Sequence, residues 1–203
     1  MTLALIDYGA GNLRSVENAL RAAGAREVLV SADAEALRGA ERIVLPGVGA
    51  FGACMAALAG LPGMIEALEQ RVLREGAPFL GICVGMQLMA QAGEEHGRHA
   101  GLGWVSGTVR RLPERPGLKV PHMGWNDVIP ARPHPLIAPG EAYFLHSYAL
   151  EGADEGELLA VTDQGGPVTA AIGRDNLVGV QFHPEKSQRY GLALMERFLA
   201  WRP

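Results

Sequence analysis

The sequence holds two cysteines, Cys54 and Cys83, and one of them sits where a cysteine can do chemistry. Around it the chain reads Pro78-Phe79-Leu80-Gly81-Ile82-Cys83-Val84-Gly85-Met86-Gln87. An apolar run enters this segment and a helical pattern leaves it. Cys83 therefore falls on a Gly-x-Cys-x-Gly elbow between strand and helix, where flanking glycines let the two elements approach closely. A helix N-terminus presents unpaired N–H groups and positive partial charge, which suit a thiolate nucleophile. The amide of Val84, just after the nucleophile, is the natural oxyanion donor. Outside such a setting a free cysteine reads as a small buried hydrophobe. Cys54, in an Ala-rich helical stretch, keeps that reading.

A base for this nucleophile lies a hundred residues on, in Val178-Gly179-Val180-Gln181-Phe182-His183-Pro184-Glu185. On an extended segment, side chains at i and i+2 share a face. Glu185 can then bond one imidazole nitrogen of His183 while the other faces the cysteine, which is the general logic of a triad. Pro184 lacks a backbone donor and suits a strand end. His-x-Glu by itself describes many surface histidines; it gains force only beside the cysteine elbow. His96, His99, His122, His134 and His146 share no ligand spacing with the cysteines, so no metal site is expected.

These residues need a scaffold that brings two strand ends together. Short apolar runs at Leu3 to Ile6, Glu27 to Val30, Arg42 to Leu45 and Pro78 to Ile82 alternate with helical patterns. The first helix is expected from Asn12 to Ala23, closed by Gly24, and another from Met86 to Gln91. Such alternation predicts an α/β fold with a mostly parallel central sheet covered by helices. Residues 103–135 are rich in glycine, proline and β-branched types without a helical period. They predict additional antiparallel strands and loops. Further strands are expected at Leu158 to Thr162, Val168 to Ile172 and Leu177 to Phe182, then a helix from Gln188 to Trp201. No repeat or linker divides residues 1–203, which read as a single domain.

Composition narrows the class. The chain has 203 residues, 48% hydrophobic and 20% charged, with a net charge of -4. A domain of this length buries roughly 70% of its unfolded surface. The charge gives no nucleic-acid footprint. Asp7 interrupts the short apolar start, and Gly60, Pro62 and Glu66 break the most apolar later stretch, so neither a signal peptide nor a membrane span is expected. Two cysteines are too few for a disulfide scaffold, and a cytoplasmic protein is expected.

Three motifs, in this order, make the chain resemble the class I (triad) glutamine amidotransferases. They are Pro46-Gly47-Val48-Gly49, Gly81-Ile82-Cys83-Val84-Gly85-Met86-Gln87 and Gln181-Phe182-His183-Pro184-Glu185. Asp7-Tyr8-Gly9-Ala10-Gly11-Asn12, Lys119-Val120-Pro121-His122-Met123-Gly124-Trp125-Asn126, Phe144-Leu145-His146-Ser147-Tyr148 and Pro184-Glu185-Lys186-Ser187 are similar, within that class, to glutaminase subunits of imidazole glycerol phosphate synthases.

The resemblance implies a catalytic triad of Cys83, His183 and Glu185, with oxyanion donors at Val84 and Val48. It implies a glutamine pocket including Gly49, Gln87, Ser147 and Tyr148. It also implies a partner, the (β/α)₈-barrel cyclase subunit that would use the ammonia in histidine biosynthesis. No cofactor is implied. His122, Met123, Trp125 and Asn126 line either that interface or the core. Rival readings are the glutaminase of another synthase, a cysteine-dependent γ-glutamyl hydrolase or peptidase, and a regulatory scaffold of the same fold.

Overall fold

A computed structural model describes residues 2–114 and 117–203. Residues 115 and 116, within the stretch expected to form antiparallel strands and loops, lie outside the described residues. In chain order the strands are β1 Thr2–Ile6, β2 Glu27–Ser31, β3 Arg42–Leu45, β4 Phe79–Ile82, β5 Ala92–Gly93, β6 His99–Ala100, β7 Thr108–Arg111, β8 His122–Pro130, β9 Gly140–His146, β10 Tyr148–Glu151, β11 Leu158–Asp163, β12 Pro167–Arg174 and β13 Leu177–Val180. The α-helices are α1 Leu13–Ala22, α2 Glu35–Arg38, α3 Phe51–Ala59, α4 Met64–Leu68, α5 Val84–Gln87 and α6 Gln188–Ala200.

The expected α/β fold is present. A nine-stranded sheet runs β2-β1-β3-β4-β13-β12-β11-β8-β9. From β2 to β13 every pairing is parallel; from β13 to β9 every pairing is antiparallel. The central strands β3, β4 and β13 are buried throughout, as strands covered on both faces must be. β8 instead alternates between inward and outward residues, the pattern of a strand with one solvated face. A second sheet, β10-β7-β5-β6, packs beside it.

α1 packs on α6, and α3 on α4 and α5. Arg42 is buried and fastens α6: its guanidinium donates to the carbonyls of Phe198, Leu199 and Trp201. A cation at a helix C-terminus satisfies orphan carbonyls and the negative end of the dipole. Among the described residues, no single helix is long and apolar enough to cross a membrane.

Two expectations shift in detail. The helix after Cys83 is one turn, Val84–Gln87, rather than Met86 to Gln91. Beyond it, Met89 N–H bonds to Met86 and Ala90 N–H to Gln87, tighter i to i−3 turns that end the helix. The last strand ends at Val180 rather than Phe182. Pro184 then opens a 3₁₀ turn, Pro184–Lys186, where its fixed φ and missing donor cost nothing.

Candidate active site

Parallel pairing of β4 with β13, Ile82 opposite Val180, brings both motifs to one end of the sheet. Cys83 follows β4 directly with φ 53° and ψ −113°. A positive φ is strained for a residue with a Cβ, and such strain persists only where its surroundings enforce it. Here Cys83 N–H donates to Val180 O at 2.8 Å. A Cβ on Gly81 would lie 2.7 Å from Gly85 O, and one on Gly85 would overlap the Leu45 carbonyl. The elbow therefore admits glycine alone at both flanks.

His183 enters from the end of β13, its N–H bonded to Tyr143 O on β9 at 2.9 Å. Its Nδ1 meets Glu185 Oε1 at 2.9 Å, with both side chains buried. The carboxylate can only accept, so Nδ1 carries the proton and Nε2 is left for Cys83. Burial alone would strip a proton from His183. Hydrogen bonds and charge from Cys83 and Glu185 outweigh that and hold its pKa up to about 10. Glu185 thus reaches the imidazole from a 3₁₀ turn, not from the extended segment expected.

Pro46-Gly47-Val48-Gly49 passes above the nucleophile as a braced loop. Tyr8 Oη donates to Pro46 O at 2.8 Å, and Cys54 Sγ to Val48 O at 3.4 Å. Burial raises the pKa of the Tyr8 hydroxyl, with Cys54 and Cys83 adding to it, and burial also raises that of Cys54. Val84 N–H bonds to Gly47 O at 3.4 Å. A pocket of roughly 310 Å³ opens over Cys83 and His183, and Val48, Gly49, Val84, Gln87, Ser147 and Tyr148 also line it. Every residue expected for triad, oxyanion and glutamine lines this one cavity except Glu185, which stands behind His183; its size is usual for small-molecule sites.

Residues 4–200 match the family model described as glutamine amidotransferase class-I. The chain belongs to that family. It is 62% identical to the imidazole glycerol phosphate synthase subunit HisH of Zymomonas mobilis, over 100% of this chain and 97% of that protein. It is 54% identical to the subunit of the same name from Rhodospirillum rubrum, over the whole of both. A crystal structure of a glutamine amidotransferase superposes with a TM-score of 0.76 at 19% identity, covering 97% of each chain. The structure of PurLQS from Thermotoga maritima superposes with 0.72 at 16%, covering 98% of this chain and 97% of that one. At such identities the two structures speak for the fold alone.

The expected interface residues of this amidotransferase divide between two faces of β8. Met123 and Trp125 point outward, 65% and 48% exposed. His122 and Asn126 point inward. His122 is buried, stacked on Phe144 and bonded to His146 at 3.0 Å; Asn126 bonds to His122 and to Asp163 O. Period-two alternation puts 122, 126 and 128 on one face; there His122 is buried in the core, whereas Asn126 is half-buried. Four residues near the amidotransferase site had no role in the sequence reading. Tyr8 and Cys54 brace the Gly47 loop. Ser187, buried, links His183 O to Tyr143 N–H. Gln181 meets Cys83 itself. Tyr8, Gln181 and Ser187 each stood within a motif of the sequence, and Gln181 lies two residues before His183, just past the end of β13.

Proposed function

We propose that this chain is the glutaminase subunit of an imidazole glycerol phosphate synthase, hydrolysing glutamine and passing ammonia to a separate cyclase subunit. The observation that carries this is end-to-end likeness, at 62% and 54% identity, to two subunits of that name. The cluster of Cys83, His183 and Glu185 under one pocket gives it a mechanism.

Cys83 sulfur attacks the side-chain amide carbon of glutamine. The resulting oxyanion takes hydrogen bonds from Val84 N–H and Val48 N–H. His183 protonates the leaving nitrogen, so ammonia departs and a thioester remains. Water then attacks the thioester with His183 accepting its proton; glutamate leaves and the thiol is restored. Glu185 keeps the imidazole oriented and stabilises its charged form. Gly49, Gln87, Ser147 and Tyr148 hold the substrate. Gln87 offers it only Oε1, an acceptor, because its N–H groups go to Tyr148 O and Gln181.

The partner binds across the outward face of β8. Met123, Trp125 and Ile129 expose an apolar row there, and Trp125 meets Tyr143 edge to face. Lys186, which lines the pocket, reaches over that same Tyr143 ring. The apolar row and a pocket-lining lysine thus share the Tyr143 ring, which supports a partner docked where ammonia leaves. Exposed aromatic and methionine side chains of this kind mark protein interfaces. The setting is the cytoplasm, where the two unpaired cysteines stay reduced.

The decisive experiment uses Cys83→Ala in complex with the cyclase subunit. Synthesis from glutamine should be abolished and synthesis from added ammonium salts retained. Loss of both would mean that Cys83 supports the structure or the interface instead.

A further inference from the structure

The pocket does not account for Gln181. Its side chain is fully buried and does not line the cavity, so it cannot touch glutamine. Its Nε2 lies 3.7 Å from Cys83 Sγ. On its other side Gln87 Nε2 donates to Gln181 Oε1 at 3.0 Å and to Tyr148 O at 2.9 Å.

The direction of this chain is determined. Tyr148 O is a carbonyl and can only accept. It therefore fixes which end of the Gln87 amide faces it. Gln87 then presents an N–H to Gln181, which must answer with its oxygen. The Gln181 nitrogen is left facing the sulfur. His146 Nδ1 meets the same Tyr148 carbonyl at 3.0 Å, which holds that carbonyl in place. Cys83 Sγ has a second neighbour, Leu145 O at 4.0 Å. An acceptor there favours the thiol; an amide N–H favours the thiolate.

Resting on the assignment of Cys83 as nucleophile, we propose that Gln181 is a further catalytic residue, donating to the Cys83 sulfur as the thiolate forms, and that Gln87 is its positioning residue. The other titratable groups around this sulfur are His183, backed by Glu185, Tyr8 after β1 and Cys54 on α3. Glu95, His146 and Lys186 line the pocket beyond them. Of these, His183 and Lys186 can carry positive charge. Gln181 adds a donor on the side away from substrate, where it cannot be displaced when glutamine binds.

The test reads thiolate formation directly. Alkylation of Cys83 by iodoacetamide is followed against pH by peptide mass in the full chain and in Gln181→Glu, Gln181→Met and Gln87→Met. Glutaminase kcat and KM are measured in the cyclase complex. In both Gln181 variants the alkylation midpoint should rise by about one to two pH units and kcat should fall roughly ten- to hundredfold, the scale of one hydrogen bond to a charged group. KM should stay within about threefold. Gln87→Met should shift the midpoint in the same direction and add no further shift on top of Gln181→Met.

An unchanged midpoint in folded Gln181 variants overturns the proposal, as does a change in KM alone. If no Gln181 variant folds, the Gln87→Met profile decides in the same two ways. Failure of the underlying assignment looks different: Cys83→Ala would then keep its glutaminase activity.

Discussion

The Val84 amide donates to the carbonyl of Gly47, 3.4 Å away. That amide is the oxyanion donor expected next to the nucleophile, and here a protein acceptor takes it. The carbonyl belongs to the Gly47–Val48 peptide, whose N–H side is the second expected donor. Turning this one peptide over would free the first donor and supply the second. The isolated subunit should therefore hydrolyse glutamine slowly and speed up when the cyclase subunit and its nucleotide ligand bind. One missing oxyanion donor costs ~10²–10³ in turnover, so activation of at least that order is expected in a steady-state glutaminase assay. Fast hydrolysis without the partner would rule this out.

Gly47 should tolerate no side chain. A Cβ there would lie 2.7 Å from Gly85 N and Tyr8 Oη and 2.8 Å from Val84 Cβ. Gly47→Ala must push the loop away from the elbow and should cost about 1–3 kcal/mol of stability, with glutaminase activity lost in the complex. Cys54→Ala removes the 3.4 Å contact to Val48 O and the contact with Tyr8, neither of which reaches the reacting atoms, and should leave most activity intact. Urea melts and complex kinetics on the two variants check both. A loss in Cys54→Ala comparable to that of Cys83→Ala would contradict the division of roles between the cysteines.

The two buried histidines nearest the nucleophile should give stability a maximum near pH 6.5. Unfolded, both titrate near 6.5. Folded, His183 keeps its proton up to about 10 through Cys83 and Glu185, against the effect of burial. Between those values the native state holds the extra proton, so stability falls as pH rises. His146 is the reverse case: burial, aided by His122, pushes it down to about 3. Between about 3 and 6.5 the unfolded state holds the extra proton, and stability rises with pH. Urea midpoints across this range measure both limbs. Cys83→Ala should flatten the alkaline limb, since one support of the His183 proton is gone. A wild-type midpoint that climbs from pH 7 to 9 would refute the account.

The candidate triad was legible because each part is a local pattern. Glycines either side of Cys83 announce an elbow, and His183 with Glu185 needs only two residues of spacing. Buried apolar runs announced a parallel sheet, but that β4 pairs with β13 is seen only in the structure. The partners of Gln181 were not legible. Gln87 lies 94 residues away in the chain, and its orientation depends on a backbone carbonyl of Tyr148 that no side-chain pattern reveals. His122 and Asn126 illustrate a different loss. The alternation in His122–Pro130 was present in the sequence, but it left His122 and Asn126 divided between an interface and the core. Burial of His122 is acceptable because His146 and the Asn126 amide satisfy its ring nitrogens.

The outward face of β8 yields the remaining prediction. Trp125 and Met123 touch neither the triad nor the pocket, yet both are large, apolar and exposed. A tryptophan central to an interface typically contributes about 2 kcal/mol or more, equivalent to roughly thirtyfold in affinity. Trp125→Ala should weaken cyclase binding by that order in calorimetry, and Met123→Ala by less. Neither should change the slow hydrolysis of the isolated subunit, because neither reaches the reacting atoms. His122→Ala should behave differently. It removes an internal hydrogen bond to His146 and should lower thermal stability before it alters affinity. Undiminished affinity in Trp125→Ala would move the docking surface to another face of the protein.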